Sequence, residues 1–272
     1  MLMTTISRKQ RLIARIRQWP GGVVLSFLVR QAWAALFGGL LLAAIIVTNY
    51  VDLPWLARYD WLFVIAVAIQ IAMLLFRLEQ PREVVTILVF HLVGLAMELF
   101  KTSQSVQSWA YPEENLIRLG TVPLFSGFMY AAVGSYIARA WRVLSLRFTG
   151  YPPRWQTIAL GVLIYANFFA HHFLPDIRIL LFAGVALLYW RTRVYFTLNL
   201  REHHMPVLLG FALIALVIWL AENAGTYTKT WLYPTQVAEW HMVSVDKLGA
   251  WFLLMIISFI MIELMNYWRT RR

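Results

Sequence analysis

The stretch Val207-Leu208-Leu209-Gly210-Phe211-Ala212-Leu213-Ile214-Ala215-Leu216-Val217-Ile218-Trp219-Leu220-Ala221-Glu222 is apolar until its last residue. A helix rises about 1.5 Å per residue and needs about 20 residues to cross a bilayer, so this run reads as a membrane span ending in a carboxylate. Nine residues beyond Glu222 the chain reads Trp231-Leu232-Tyr233-Pro234. The same cassette stands earlier, where an apolar run closes on Glu98 and leads into Trp109-Ala110-Tyr111-Pro112. In both copies a glycine, Gly127 or Gly249, follows the proline by fifteen residues and opens the next apolar run. Two cassettes in register point to an internal duplication. An ionisable residue within a span is a functional-site hypothesis by default.

Apolar runs recur along all 272 residues, of which 61% are hydrophobic and 14% charged. A soluble domain carries about 25% charged residues. The fold class expected is therefore all-α: a polytopic membrane bundle of about eight transmembrane helices, at roughly 31–48, 61–76, 84–100, 121–138, 156–173, 177–190, 206–222 and 248–266. Residues 1–30 read as a basic cytoplasmic segment with no secretory signal. Residues 31–272 read as one transmembrane domain with half-repeats near 31–141 and 156–268. No cysteine is present, which excludes disulfides and thiolate ligands.

The net charge of +11 is explained by loop positions rather than by nucleic acid. With the N-terminus inside, the outer side takes Arg58, Lys101, Arg118, Arg178, Lys229 and Lys247, and the rest of the 24 basic residues fall inside. Cytoplasmic loops collect Lys and Arg, so both termini are placed in the cytoplasm. Both cassettes then face outward, four spans apart, which makes the repeat parallel.

The same topology gathers polar residues at the outer face. Glu98 leads into Lys101, and Glu222 is followed by Asn223. Between the cassettes lies Asn167-Phe168-Phe169-Ala170-His171-His172-Phe173-Leu174-Pro175-Asp176, and the second cassette runs on to His241. On a regular helix His171 and His172 point about 100° apart. Glu98, Glu222, His171, His172, Asp176 and His241 are the candidate catalytic residues. Trp109, Tyr111, Trp231, Tyr233, Lys101 and Asn223 are the candidates for lining a substrate. His203 and His204 fall on the inner side and read as solvated loop residues.

Bland readings stand beside these. The glutamates fit a headgroup zone or a bond to the next loop, the rings fit an interfacial belt, and Asp176 fits a helix first turn. Three chemistries remain open. Histidines and carboxylates are suitable ligands for a divalent metal such as zinc, although no diagnostic spacing is present. Paired carboxylates at the edge of an apolar bundle suit acid–base work on a lipidic or isoprenoid substrate. Duplicated halves with broken helices would suit a proton-coupled carrier.

The run 167–178, the Tyr111-Pro112-Glu113 turn and Glu222-Asn223-Ala224-Gly225-Thr226 resemble the YoaT-like bacterial integral membrane proteins, a domain-of-unknown-function family, from about residue 30 to the end. The resemblance implies a multi-pass protein of the bacterial cytoplasmic membrane in contact with lipid. It implies no activity and no catalytic residue. The site expected here rests on the residues alone, and its best expected role is a membrane enzyme acting on a lipidic small molecule.

Overall fold

The structure is a computed structural model and describes residues 20–270. Most of these are helical. In chain order the helices are α1 (Pro20–Ala34), α2 (Leu36–Val47), α3 (Arg58–Leu75), α4 (Pro81–Lys101), α5 (Ser126–Val143), α6 (Arg154–Ala170), α7 (Arg178–Tyr189), α8 (Val207–Tyr227) and α9 (Val245–Thr270). Each run read as a span overlaps one of them, except the first, which overlaps two. Among the described residues four helices are long and apolar enough to cross a membrane: α3, α4, α8 and α9. A bent pair, α1 with α2, makes a fifth if it counts as one span.

The first expected span is therefore two helices. The chain already turns helical at Pro20, and α1 and α2 meet at an angle of 72°. Arg139 of α5, almost wholly buried, explains why the break holds. Its guanidinium donates to Trp33 O at 2.6 Å, Ala34 O at 3.1 Å and Leu78 O at 2.6 Å. Helix C-terminal carbonyls lack intrahelical partners, and an arginine can supply them. Residues 1–19 of the expected basic segment lie outside the described residues.

A second departure is the presence of strands. Residues β3 (Arg147–Thr149), β4 (Arg193–Leu198) and β5 (Arg201–Pro206) form an antiparallel sheet at the end of the bundle opposite the cassettes. Asn199 and Leu200, both at positive φ, make the two-residue turn between β4 and β5. His203 and His204 are thus strand residues, with rings 5.8 Å from Phe196 and 5.2 Å from Tyr195. The short strands β1 (Arg118–Leu119) and β2 (Val122–Pro123) pair within the first cassette loop.

Tyr59, Phe90, Phe125, Phe128, Trp231, Leu253 and Ile260 belong to one buried cluster. Many large apolar side chains face outward instead, among them Phe76, Leu92, Ile179, Leu187 and Val217. Such a surface is suited to lipid and not to water. Helix α4 begins with Pro81 at its first turn and a reciprocal cap between Gln80 and Glu83, which fixes where this span enters the bundle.

Candidate functional site

Glu98 lies on the last turn of α4 and Glu222 near the end of α8, at 2% and 3% exposure. Each is enclosed by aromatic donors. Glu98 Oε2 accepts from Trp109 Nε1 at 2.8 Å and Tyr111 OH at 2.9 Å, and its Oε1 accepts from Tyr130 OH at 2.8 Å. Glu222 Oε1 accepts from Tyr233 OH and its Oε2 from Trp251 Nε1. The cassette is therefore a device for bringing a loop tyrosine back onto the glutamate that precedes it. Burial, with the Glu98 carboxylate beside it, holds the Tyr111 phenol well above the ordinary tyrosine range. Burial and Glu222 do the same to Tyr233.

The two copies are bound to each other. Ala110 N–H donates to Leu232 O and Leu232 N–H to Ala110 O, both at 2.9 Å. Trp109 and Tyr233 meet edge to face at 6.2 Å. Two features of the expected pattern differ. Trp231 does not follow Trp109 onto its glutamate; its ring packs against Gly225, where any Cβ would overlap it. Its place is taken by Trp251 of α9. Tyr130 and Trp251 were not among the expected residues, although they stand three and two residues after the matched glycines Gly127 and Gly249. An aromatic close behind each matched glycine was the available signal, although the two offsets differ by one. Gly94 completes the arrangement, since a Cβ there would come within 2.6 Å of the Tyr130 ring.

Both glutamates line a cavity of about 1030 Å³ that runs from the cassettes to the β3–β4–β5 sheet. This is at the upper end of the roughly 300–1,000 Å³ of small-molecule pockets. Its walls are mostly apolar, with Leu41, Met97, Ile164, Phe211, Leu254 and Phe259 along its length. Lys101, His171, His172, Arg178 and Lys247 line its polar end together with Trp109, Tyr111, Tyr233 and Trp231. Lys101 Nζ lies 2.7 Å from His172 Nε2, and because an ammonium only donates, that ring nitrogen accepts. His171 lies against it, the ring centroids 4.1 Å apart. Its Nδ1 is 2.7 Å from Asn167 O.

Three expected residues stand elsewhere. Asp176 holds Arg178 Nε at 2.5 Å and Asn167 Nδ2 at 3.1 Å, away from the cavity wall. Burial alone would raise its carboxyl; the hydrogen bonds from Asn167 and Arg178 outweigh that and hold it below the usual range. His241 is exposed, with its ring nitrogens near Thr235 O and Met242 O. Asn223 is a bracket for the second loop: it donates to Trp219 O and accepts from Val243 N–H. Among the described residues no three His, Asp or Glu side chains are grouped as a metal would require. The expected ligand set for zinc is thus not assembled.

The fold and the site define a mostly helical protein with helices fit to cross a membrane and a caged carboxylate pair beside a long apolar cavity. The chain belongs to the family described as Protein of unknown function (DUF817), whose model matches residues 23–259. A relative from Bacillus subtilis (strain 168), the uncharacterized protein YoaT, is 42% identical over 232 residues, covering 85% of this chain and 87% of its own. No solved structure matches the chain.

Proposed function

We propose that this is a multi-pass protein of the bacterial cytoplasmic membrane that takes a lipidic or isoprenoid amphiphile into its cavity and acts on it as an enzyme. In this reading eight spans place both termini in the cytoplasm, and two parallel half-repeats present the cassettes to the outer side. Glu98 and Glu222 exchange protons with the substrate at the polar end, with Lys101 and the His171-His172 turn beside them. The observation that carries the reading is the cavity itself: about 1030 Å³, apolar along its length, with both duplicated glutamates at one end. A site for a small polar solute would not need that apolar length.

Native mass spectrometry of the protein purified from membranes in mild detergent tests the reading. The wild type is expected to carry a lipid-sized adduct. Gly39 and Gly210 line the cavity, and a Cβ at either would meet nothing within 4 Å. Gly39→Trp and Gly210→Trp are therefore expected to fill the space and lose the adduct. An adduct that persists in both variants would place the lipid outside the cavity and sink the proposal. Conversion of the bound species by the wild type and not by Glu98→Gln or Glu222→Gln distinguishes an enzyme from a binding protein.

The bent α1–α2 pair supports a second reading, a proton-coupled carrier, because broken helices line the sites of such proteins. That reading requires proton-dependent solute flux in sealed vesicles, which the enzyme reading does not produce.

A further inference from the structure

Three cations line the polar end of the cavity: Lys101, Lys247 and Arg178. Lys101 is buried, and Lys247 and Arg178 are half-buried. Lys101 is 5% exposed, and its Nζ meets the His172 imidazole at 2.7 Å and lies 5.8 Å from the Phe168 ring centroid. Lys247 Nζ lies 4.2 Å from the Tyr233 ring centroid and 5.9 Å from that of Trp109. Among the described residues neither lysine makes an ion pair, while Arg178 gives its Nε to Asp176. Asp246 lines the same end beside Ser244, whose hydroxyl is 3.4 Å from it. Glu222 acts electrostatically on Lys247, but both glutamates take their hydrogen bonds from ring donors. An unpaired ammonium removed from water is costly unless an anion or hydrogen bonds replace the lost hydration. Cation–π contacts offset only part of that cost.

Resting on the reading that the cavity holds an amphiphile, we infer that this end binds a phosphate headgroup, held by Lys101, Lys247 and Arg178. A phosphate presents several oxygens and can accept from three separate donors at once, which one carboxylate does less well. The apolar tail then runs from the cassettes towards the sheet, past Met97, Ile164 and Phe211. His172 positions Lys101 by accepting a hydrogen bond from its ammonium, and the Tyr233 ring positions Lys247.

The test compares hexadecyl phosphate, hexadecanol and inorganic phosphate, each titrated against the protein in detergent and read by native mass spectrometry. Hexadecyl phosphate is expected to bind at least tenfold tighter than hexadecanol. Lys101→Gln and Lys247→Gln should each remove most of that difference and leave hexadecanol binding unchanged, which also shows that the variants are folded. Lys101→Arg should retain much of it. Equal binding of the two hexadecyl compounds in the wild type would overturn the headgroup inference while leaving the amphiphile reading intact. No binding of either would overturn the amphiphile reading, and the inference with it. Inorganic phosphate binding as tightly as hexadecyl phosphate, and depending on the lysines, would uphold the anion site but identify free phosphate as its ligand.

Discussion

Ala110 and Leu232, 122 positions apart, exchange both of their backbone hydrogen bonds at 2.9 Å. Each is the variable residue of its Trp-x-Tyr-Pro cassette, so the two cassette loops meet at equivalent points. On the proposed function, the two loops then contribute to a single shared site and not to two independent ones. Beside this pairing, Trp109 of the first loop, which donates to Glu98, contacts Tyr233 of the second, which donates to Glu222. The cassette sequence thus serves both its own glutamate and the opposite loop.

The pairing is open to covalent test. A residue pair that exchanges both hydrogen bonds has its Cα atoms about 5.5 Å apart, within the roughly 4.4–6.8 Å that a disulfide spans. The chain contains no cysteine, so Ala110→Cys with Leu232→Cys creates the one thiol pair present. Mild oxidation is expected to link the two in membranes, seen as faster migration on non-reducing gels. Failure to link, with both thiols still reactive towards maleimide, would mean that the cassettes do not meet.

Substitution of the glutamates separates structure from chemistry. In Glu98→Gln the amide oxygen still accepts two donors, and a tyrosine hydroxyl can rotate to accept from the new N–H groups. Folding should then weaken by only ~1 kcal/mol. Glu98→Leu leaves the donors of Trp109, Tyr111 and Tyr130 without an acceptor. A buried unsatisfied group costs about 1–3 kcal/mol, so this variant should melt well below the glutamine variant in detergent. Equal melting of the two would mean that the cage is not closed around the carboxylate.

Gly225 is the point where Trp231 leaves the pattern set by Trp109. Gly225→Ala forces a methyl into the indole ring, and overpacking of this kind costs about 1–3 kcal/mol. Gly39→Ala, where a Cβ meets open space, is the control and should leave the melting temperature unchanged. A Gly225→Ala variant as stable as that control would contradict the packing of Trp231.

The positions of the helices were legible in the sequence because apolar runs and their breaks survive any tertiary context. The glutamates and the loop tyrosines were legible because the cassette is repeated. The sheet was not, since β4 and β5 are six residues each and carry Arg193, Arg201, Glu202, His203 and His204, which read as a charged loop. The α1–α2 break was also hidden, because its cause is Arg139, about a hundred residues away. Asn223 and His241 fall at the outer face by the expected topology, but backbone groups claim their side chains. Chemistry-bearing residue types near a site in sequence are as readily loop brackets as ligands. Lys247 and Trp251 enter the site from a helix whose facing side follows from packing alone.

The phenols of the cassettes should titrate late. Tyr111 and Tyr233 are held well above the ordinary tyrosine value of about 10 by burial and by the adjacent carboxylates. A group whose pKa is raised on folding contributes stability that is present below its unfolded value and is lost as pH climbs towards its folded one. The cage is therefore expected to hold through neutral pH and to loosen only in strong base. Absorbance at 295 nm should rise near pH 10 with equal amplitude in the wild type and in the Tyr111→Phe and Tyr233→Phe variants. A smaller rise in either variant would mean that its phenol ionises like an exposed one, and that the hydrogen bond to its glutamate is not maintained.

The proposed sidedness follows from two exposed positions at opposite ends of the bundle. Ser105 lies in the first cassette loop, and Leu200, 99% exposed, is at the tip of the β4–β5 turn. With both termini in the cytoplasm, Ser105→Cys should react with a membrane-impermeant maleimide in intact cells. Leu200→Cys should react only after the membrane is opened, since the proposed topology puts the basic strands around it, with Arg193 and Arg201, on the inner side. The absence of native cysteine keeps both signals free of background. The reverse pattern would turn the site towards the cytoplasm and leave the amphiphile to enter from the inner leaflet. Labelling of both positions in intact cells would instead contradict the helices crossing the membrane between them.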